Sequence, residues 1–119
     1  MVDSSANILE EVKRYNNIDS EVTEFDHDIC SLVNGAFFSL NQLGVGPEKP
    51  FTIDEDTVFE DFTTQVPADV ILNYLSLKTK LVFDPPINSA AIDAFKDRIK
   101  ELEFRMNLMV DSGGGDISG

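Results

Sequence analysis

The chain has 119 residues, of which 42% are hydrophobic and 26% are charged, and its formal net charge at pH 7 is −13. This length and composition predict a single soluble globular domain. No apolar run approaches the roughly 18 residues of a membrane-spanning helix, so we expect no membrane contact. The first five residues show no basic start followed by an apolar run, so we expect no secretory signal and synthesis in the cytoplasm.

The acidic residues are concentrated in the first half of the chain. Residues 1–65 hold 14 acids and three bases, whereas residues 66–119 hold eight acids and six bases. A chain with this charge repels a phosphate backbone overall, which argues against sequence-specific nucleic-acid binding. The charge serves solubility. It also suits a surface that meets a basic partner, or one that must not hold DNA.

The first predicted element is a short helix that Ser4 or Ser5 could cap. A longer and more central helix follows, with Thr23 as the expected N-cap and Asp26 at the position of a capping-box acid. Gly44 is its expected terminator, because glycine readily adopts a left-handed conformation. The apolar residues assigned to the two helices are Ile8, Leu9, Val12 and Tyr15, then Phe25, Ile29, Leu32, Val33, Ala36, Phe37, Leu40 and Leu43.

Residues 45–66 interrupt the helical pattern. Alternation over residues 51–54 predicts a short extended segment, either alone or as one arm of a small hairpin. Asp56 or Thr57 could then cap a single helical turn over residues 58–62. A loop of this length is uncommon in a compact domain and is often functional.

Two further helices flank a stop at Asp84-Pro85-Pro86. Pro67 suits the first turn of the third helix, which is apolar around much of its circumference and is expected to lie between neighbours. Asn88 or Ser89 is expected to cap the fourth helix, which should run to about Val110. One apolar stripe follows the fourth helix and consists of Ile92, Phe95, Ile99, Leu102, Met106 and Met109.

These elements predict an all-α fold, a small bundle of about four helices with a long loop between the second and third. We expect one domain over residues 1–111, followed by a flexible Gly/Ser-rich tail over residues 112–119.

No catalytic or metal-binding constellation is visible. His27 and Cys30 lie three residues apart on the second helix, but the chain has no second His or Cys to complete a zinc site. We expect Cys30 to be a small core residue and His27 to lie at the surface. A single cysteine cannot form an internal disulfide, which fits a reducing compartment.

Residues 54–56 form an acidic run that could suggest calcium. An EF-hand loop starting at Asp54 would need an oxygen ligand and then glycine where Val58 and Phe59 stand. We therefore expect a solvated acidic loop, with no metal and no cofactor. Gly44-Val45-Gly46 ends a helix, so it is not a dinucleotide fingerprint. The chain is not expected to be an enzyme.

The end of the fourth helix carries apolar residues outside its stripe. Phe104, Leu108 and Val110 are additional to those that the helix needs for its own packing. Exposed apolar side chains of this kind indicate a contact with another subunit.

Three segments, in their order and spacing, carry a family resemblance. They are residues 40–47 (LNQLGVGP), 74–86 (YLSLKTKLVFDPP) and 99–107 (IKELEFRMN). Over about residues 8–110, the chain resembles the head-tail connector (head completion, or adaptor) proteins of long-tailed double-stranded DNA bacteriophages.

The resemblance implies a structural protein of the virion neck that is assembled in the bacterial host cytoplasm. Such proteins usually form a twelvefold ring beneath the portal, extend the DNA channel, and present a platform to a further neck or tail-completion protein. DNA passes through without specific binding. The implied portal-binding part is residues 104–119, with Phe104, Leu108, Met109 and Val110. The implied ring or next-protein contact is the loop 45–66, with Val45, Phe51, Ile53 and Phe59.

One alternative stays open at this point. An acidic inhibitor that mimics DNA and blocks a nucleic-acid-binding protein would share the net charge. It would need carboxylates spaced like phosphates along one face, and the bases interleaved on the last helix weaken that reading.

Overall fold

The computed structural model of the chain describes residues 2–114, with side chains described as far as Asp111. Four α-helices follow one another: α1 (Ile8–Tyr15), α2 (Asp26–Gln42), α3 (Ala68–Phe83) and α4 (Ser89–Gly114). A short 3-10 turn, Phe59–Asp61, lies in the long connection between α2 and α3. The described residues contain no strand, and the predicted all-α bundle of about four helices is confirmed. None of these helices combines the length and apolar content that crossing a membrane requires.

The third helix is the centre of the bundle, because α1, α2 and α4 all pack against it. Ile71, Tyr74 and Leu75 are completely or almost completely buried. Even Thr79 is buried, and its hydroxyl donates to the carbonyl oxygen of Leu75 at 2.8 Å. This burial on several sides agrees with the wide apolar surface in the sequence of α3. Pro67 is the N-cap of this helix, one position before the predicted first turn, and Asp84 follows the helix as predicted.

A buried ion pair joins α1 to the start of α2. Lys13 is fully buried, and its Nζ lies 2.8 Å from Oδ1 of Asp26. The same ammonium donates to the carbonyl oxygens of Val22 at 2.7 Å and Ser20 at 3.3 Å. The ammonium thus has two carbonyl acceptors and a carboxylate counter-charge, which together offset much of the cost of burying the charge. The predicted capping box of Thr23 and Asp26 is wrong, since α2 begins at Asp26 and has no side-chain cap.

The start of α1 also differs from the prediction. The cap is Asn7, whose Oδ1 accepts a hydrogen bond from the Glu10 amide at 2.9 Å, rather than Ser4 or Ser5. Asn7 serves a second contact, because its Nδ2 donates to the carbonyl oxygen of Glu55 at 2.6 Å. This long-range contact selects Asn7 as the cap, and it ties the helix start to the loop.

Two asparagines of α2 hold the long loop in place. Oδ1 of Asn34 accepts from the Ile53 amide at 2.7 Å, and Nδ2 of Asn41 donates to the Glu48 carbonyl at 2.9 Å. The two asparagines are seven residues apart, about two helical turns, so they project from one side of α2. The loop therefore follows that side of the helix.

Three phenylalanine rings close the same loop over α2. The ring centroids of Phe37, Phe51 and Phe62 lie 4.8 to 5.1 Å from one another. Gly46 lies directly against the Phe62 ring with a φ of +93°, and a Cβ there would stand 2.5 Å from two carbons of that ring. Glycine is required here both by the backbone conformation and by the close approach.

The second half of the loop crosses the entry to α1. The Ile8 amide donates to the Thr57 carbonyl at 3.0 Å, and the Phe59 amide donates to the Ala6 carbonyl at 3.0 Å. A single bridge joins Asn7 to Val58. The segment predicted to be extended over residues 51–54 forms no hairpin in the described residues, because the loop pairs with chain about 50 positions upstream. The predicted helical turn is present at Phe59–Asp61.

The fourth helix begins as predicted and ends later. Oδ1 of Asn88 accepts from the Ala91 amide at 3.0 Å, which caps the helix start. The helix continues to Gly114, beyond the predicted end at Val110, so it includes the first three residues of the predicted tail. Residues 115–119 of that tail lie outside the described residues.

The buried ion pair leads to a first prediction. We expect Asp26→Asn to lower the free energy of unfolding by about 3 kcal/mol, because it leaves the Lys13 ammonium buried without its counter-charge. Asp28→Asn is the matched control, since Asp28 is exposed in the same helical turn and should change stability by at most about 1 kcal/mol. Urea unfolding of both variants measures the difference, and equal effects would contradict the role of the pair.

Two glycine-to-alanine substitutions should change the stability of the protein in opposite directions, which gives a second prediction. Gly46→Ala should destabilise the protein by about 2–3 kcal/mol, through the positive φ and the clash with Phe62. Gly35→Ala should stabilise it by about 0.5–1 kcal/mol, since Gly35 lies within α2 with nothing within 4 Å of the added Cβ. Thermal and urea unfolding check both. A neutral Gly46→Ala would show that the loop does not close tightly over this residue.

Candidate assembly surface

A groove lined mainly by polar residues lies between α2 and the long loop. This α2–loop groove has a volume of about 410 Å³ and is lined by Asp26, His27, Cys30, Ser31, Asn34, Ile53, Asp54, Glu55 and Asp56. Cys30 is half-buried at the groove rather than a core residue as predicted, and His27 is exposed as predicted. Within the described residues, no group of three His, Cys, Asp or Glu side chains is placed to hold a metal ion.

The groove is not arranged to activate its cysteine. Burial raises the pKa of the Cys30 thiol, and the neighbouring Asp26, Glu55 and Asp54 carboxylates raise it further. A thiol with a raised pKa is less available as the nucleophilic thiolate at neutral pH. The groove therefore does not favour nucleophilic chemistry at Cys30.

The acidic run beside the groove serves the turn of the loop. Oδ1 of Asp54 accepts hydrogen bonds from the Asp56 amide at 2.8 Å and the Thr57 hydroxyl at 3.0 Å. These bonds lower the pKa of Asp54, so its carboxylate stays ionised. Asp54 thus shapes a charged and exposed turn.

One unpartnered apolar surface lies near the end of α4. Phe104 is 65% exposed and Leu108 is 49% exposed. They are one helical turn apart, on the side of α4 opposite to the buried Leu102 and Met106. We call Phe104 and Leu108 the outer face of α4. Two of the four residues predicted to bind the portal thus point away from the bundle.

Met109 and Val110, the other two predicted portal-binding residues, are half-buried and pack against the core. Their main contacts are within the chain. Any partner that covers the outer face of α4 would meet them only at its edge.

Polar contacts fix how α4 is rotated on the bundle. The Tyr74 hydroxyl donates to Oε2 of Glu103 at 2.7 Å, and Nδ2 of Asn107 donates to the Leu43 carbonyl at 3.1 Å. Burial raises the pKa of Tyr74, and the bond to Glu103 raises it further, so the phenol stays neutral and donating. Glu103 and Asn107 directly precede Phe104 and Leu108. The hydrogen bonds of Glu103 and Asn107 therefore set the direction in which Phe104 and Leu108 point.

The loop residues predicted as contacts mostly lie inside the molecule. Val45, Ile53 and Phe59 are buried, and Phe51 is half-buried beside Phe37. In this conformation these side chains shape the loop and leave little surface for another protein. The exposed side of the loop is acidic instead and carries Glu48, Asp54, Glu55, Asp56, Glu60 and Asp61.

The sequence reasoning missed other exposed apolar residues. Ile87 is fully exposed at 103%, and Val82 is 66% exposed, both near the prolines between α3 and α4. Phe38 is also half exposed on α2. For Ile87 a signal was present, because it follows two prolines and precedes the helix cap, so no helical neighbour covers it. For Phe38 the helical period gave a signal, because its position lies on the side of α2 opposite to Ile29 and Leu40, which indicates exposure.

The hydrogen bond from Tyr74 to Glu103 gives a third prediction. At pH 8, Tyr74→Phe should lower the free energy of unfolding by about 1.5 kcal/mol, the scale of a hydrogen bond to a charged group. The unfolded tyrosine ionises near pH 10, but folded Tyr74 resists ionisation. The unfolded state therefore binds fewer protons above pH 10, so the wild type loses stability there and the gap to Tyr74→Phe narrows. Urea unfolding at pH 8 and pH 11 measures this, and a gap that widens would contradict it.

Comparison with known proteins identifies the family of the chain. A family model described as "Phage connector protein" matches residues 8–113, a range that runs from the start of α1 almost to the end of α4. Neither the search of curated proteins nor the search of solved structures found a match. The family match confirms the resemblance drawn from the three sequence segments. Because it covers nearly the whole chain, this protein belongs to the phage connector family, which implies a structural role at the head-tail junction of a virion.

Proposed function

We propose that the protein assembles as a ring of about twelve copies beneath the portal of a tailed phage, extending the DNA channel and joining head to tail. The number of copies follows the family resemblance. The observation that carries the proposal is the outer face of α4, where Phe104 and Leu108 are held away from the bundle in a family that connects virion proteins. In this proposal the outer face of α4 binds the portal.

The surroundings of the outer face resemble those of a binding patch. Phe104 and Leu108 stand among exposed Lys100, Glu101 and Arg105, and Arg105 pairs with Glu101 at 2.8 Å. An apolar centre with a charged, solvated rim is the usual anatomy of an interface. Aromatic anchors at such a centre carry much of the binding free energy.

A ring also requires two unlike surfaces on each copy, because each contact is heterologous. The acidic loop and the near-balanced α4 supply surfaces of different charge. The exposed acids of the loop 45–66 are the proposed platform for a neighbouring copy or a downstream neck or tail-completion protein. The buried loop residues Val45, Ile53 and Phe59 would support that platform from beneath.

The net charge of −13 fits a channel component. A negative surface does not hold a phosphate backbone, so DNA could pass without specific binding. The site of action would be the neck of the virion, after assembly in the host cytoplasm.

The DNA-mimic alternative gains no support from the geometry of α4. Its exposed surface alternates Lys96, Lys100 and Arg105 with Asp97 and Glu101, and such mixed charge does not imitate a phosphate row. A salt-sensitive complex with a basic DNA-binding protein, in place of a complex with the portal, would restore that alternative.

The proposal is tested by co-sedimentation with a portal ring from the same phage at moderate and high salt. We expect saturable binding near one copy per portal subunit, and annular particles by electron microscopy. A folded monomer that ignores the portal in every condition would overturn the proposal.

The fourth prediction places the contact on α4. Phe104→Ala should weaken portal binding by roughly 30-fold, the effect of losing about 2 kcal/mol at an aromatic anchor. Phe38→Ala is the matched control, because Phe38 is similarly exposed but lies on α2, and portal binding should stay within about twofold. Both variants should keep the wild-type melting temperature. Equal losses, or none, would show that the portal contact lies elsewhere.

A further inference from the structure

The turn between α3 and α4 presents an apolar end without a partner in the chain. Residues 82–87 form this α3–α4 tip, in which Ile87 is fully exposed and Val82 is two-thirds exposed. Beneath them, the ring of Phe83 packs edge-on against Phe25 at 5.3 Å, which supports the tip on the start of α2. Pro85 and Pro86 restrict the backbone that carries Ile87. The tip is thus a stiff apolar projection.

The α2–loop groove is a concave surface of suitable size for such a projection. Its volume of about 410 Å³ falls within the range of roughly 300–1,000 Å³ that is typical of binding clefts. Ile53 and half-buried Cys30 give it apolar lining, and Asp54, Glu55 and Asp56 form an acidic rim.

The charges of the two surfaces are complementary. Around the tip, residues 78–96 carry Lys78, Lys80 and Lys96 against Asp84 and Asp93, a net charge of +1 in a strongly acidic chain. The half-buried Lys80 lies 3.4 Å from Oδ2 of Asp84 and donates to the Asp84 carbonyl at 3.2 Å, so its ammonium is held at the tip, where such a surface pair contributes little stability of its own. The three acids of the groove rim are the natural counterpart, and complementary charge both orients and accelerates such encounters.

The groove and the tip lie on different sides of the same subunit. Cys30 and Asn34, which line the groove, are roughly half a turn around α2 from Ser39 and Leu43. Ser39 and Leu43 lie on a side of α2 that meets the α3–α4 hairpin, through Tyr74 and Asn107. One copy can therefore offer its tip to one neighbour while its groove accepts the tip of another.

We propose that the tip of one copy inserts Ile87 into the α2–loop groove of the next copy, with the lysines near the tip against the acidic rim. The occupant of the groove is thus a second copy of this chain. This inference rests on the proposed ring, for which it names the contact between neighbours. A tip in a groove is a heterologous contact. Such contacts repeat from copy to copy and form a closed ring when the rotation between neighbouring copies allows it.

The native cysteine provides a direct test. In Ile87→Cys, the new thiol should lie close to Cys30 of a neighbouring copy in the assembled protein on its portal ring. Oxidation, or treatment with a short bis-maleimide, should then link copies into a ladder of dimers, trimers and larger species on a denaturing gel. A ladder beyond the dimer requires both cysteines of a chain to react, because linkage at one position alone stops at two chains, and peptide mapping then separates a link between positions 30 and 87 from links between like positions.

Two controls isolate the contact. Ile87→Cys combined with Cys30→Ser should give no species beyond the dimer. Ser20→Cys, at an exposed residue between α1 and α2, should give no Cys30-dependent ladder. Peptide mapping of the linked species should identify Cys30 joined to the introduced cysteine at position 87.

A second variant measures the strength of the contact. Ile87→Asp changes a fully exposed residue, so the monomer should keep its melting temperature. The concentration needed to form rings should rise at least tenfold, because a carboxylate would replace the apolar side chain and face the acidic rim.

The outcomes separate this inference from the proposed function. Rings that form on the portal without a Cys30-dependent ladder, and with Ile87→Asp unaffected, would overturn the tip-in-groove contact and leave the portal function standing. A wild-type protein that neither binds the portal nor forms rings would overturn both.

Discussion

The buried ammonium of Lys13 is the constraint on which the first half of the structure depends. A fully buried charge must find oxygen partners, and here they come from Ser20, Val22 and Asp26. These three residues span the connection between α1 and α2, so satisfying one side chain fixes the path of the whole turn. The start of α2 is set as a result. Phe25 is then placed against Phe83, and the N-terminal half of α2 is left to form one wall of the groove.

A second set of polar contacts decides which surface α4 presents. The apolar seam of Ile99, Leu102 and Met106 holds the helix on the bundle, but apolar contacts alone are weakly directional. The bond from Tyr74 to Glu103 and the bond from Asn107 to the Leu43 carbonyl add direction, because hydrogen bonds tolerate little misalignment. Phe104 and Leu108 follow these two residues along the helix. Their exposure is therefore built into the packing of α4 and is not an accident of an uncovered end.

Most of the helical architecture could be read from the sequence, and most of the long-range detail could not. The 3-4 spacing on α4, Pro67, Gly44 and the pair of prolines after α3 are local signals, and each marked an element that the structure contains. The role of Asp26 depends on Lys13, thirteen residues earlier, and the path of Ile53 depends on the side chain of Asn34. The loop aromatics look like exposed contacts in sequence because loops are usually on the surface. Only the close approach of Phe37, Phe51 and Phe62 shows that they close the core.

The charge of the chain makes self-association a selective event. Copies with a net charge of −13 repel one another, so an assembly must bring opposite charges together where they touch. Bases are scarce, and Lys13 is already committed inside the core. The exposed bases that remain are mostly on α4, with two half-buried lysines on α3, whereas the first half is dominated by acids. An arrangement that places α3 or α4 of one copy against the first half of the next relieves this repulsion, whereas a twofold arrangement of two acidic halves increases it. The sequence thus favours head-to-tail contact over a symmetric dimer, as a ring subunit requires.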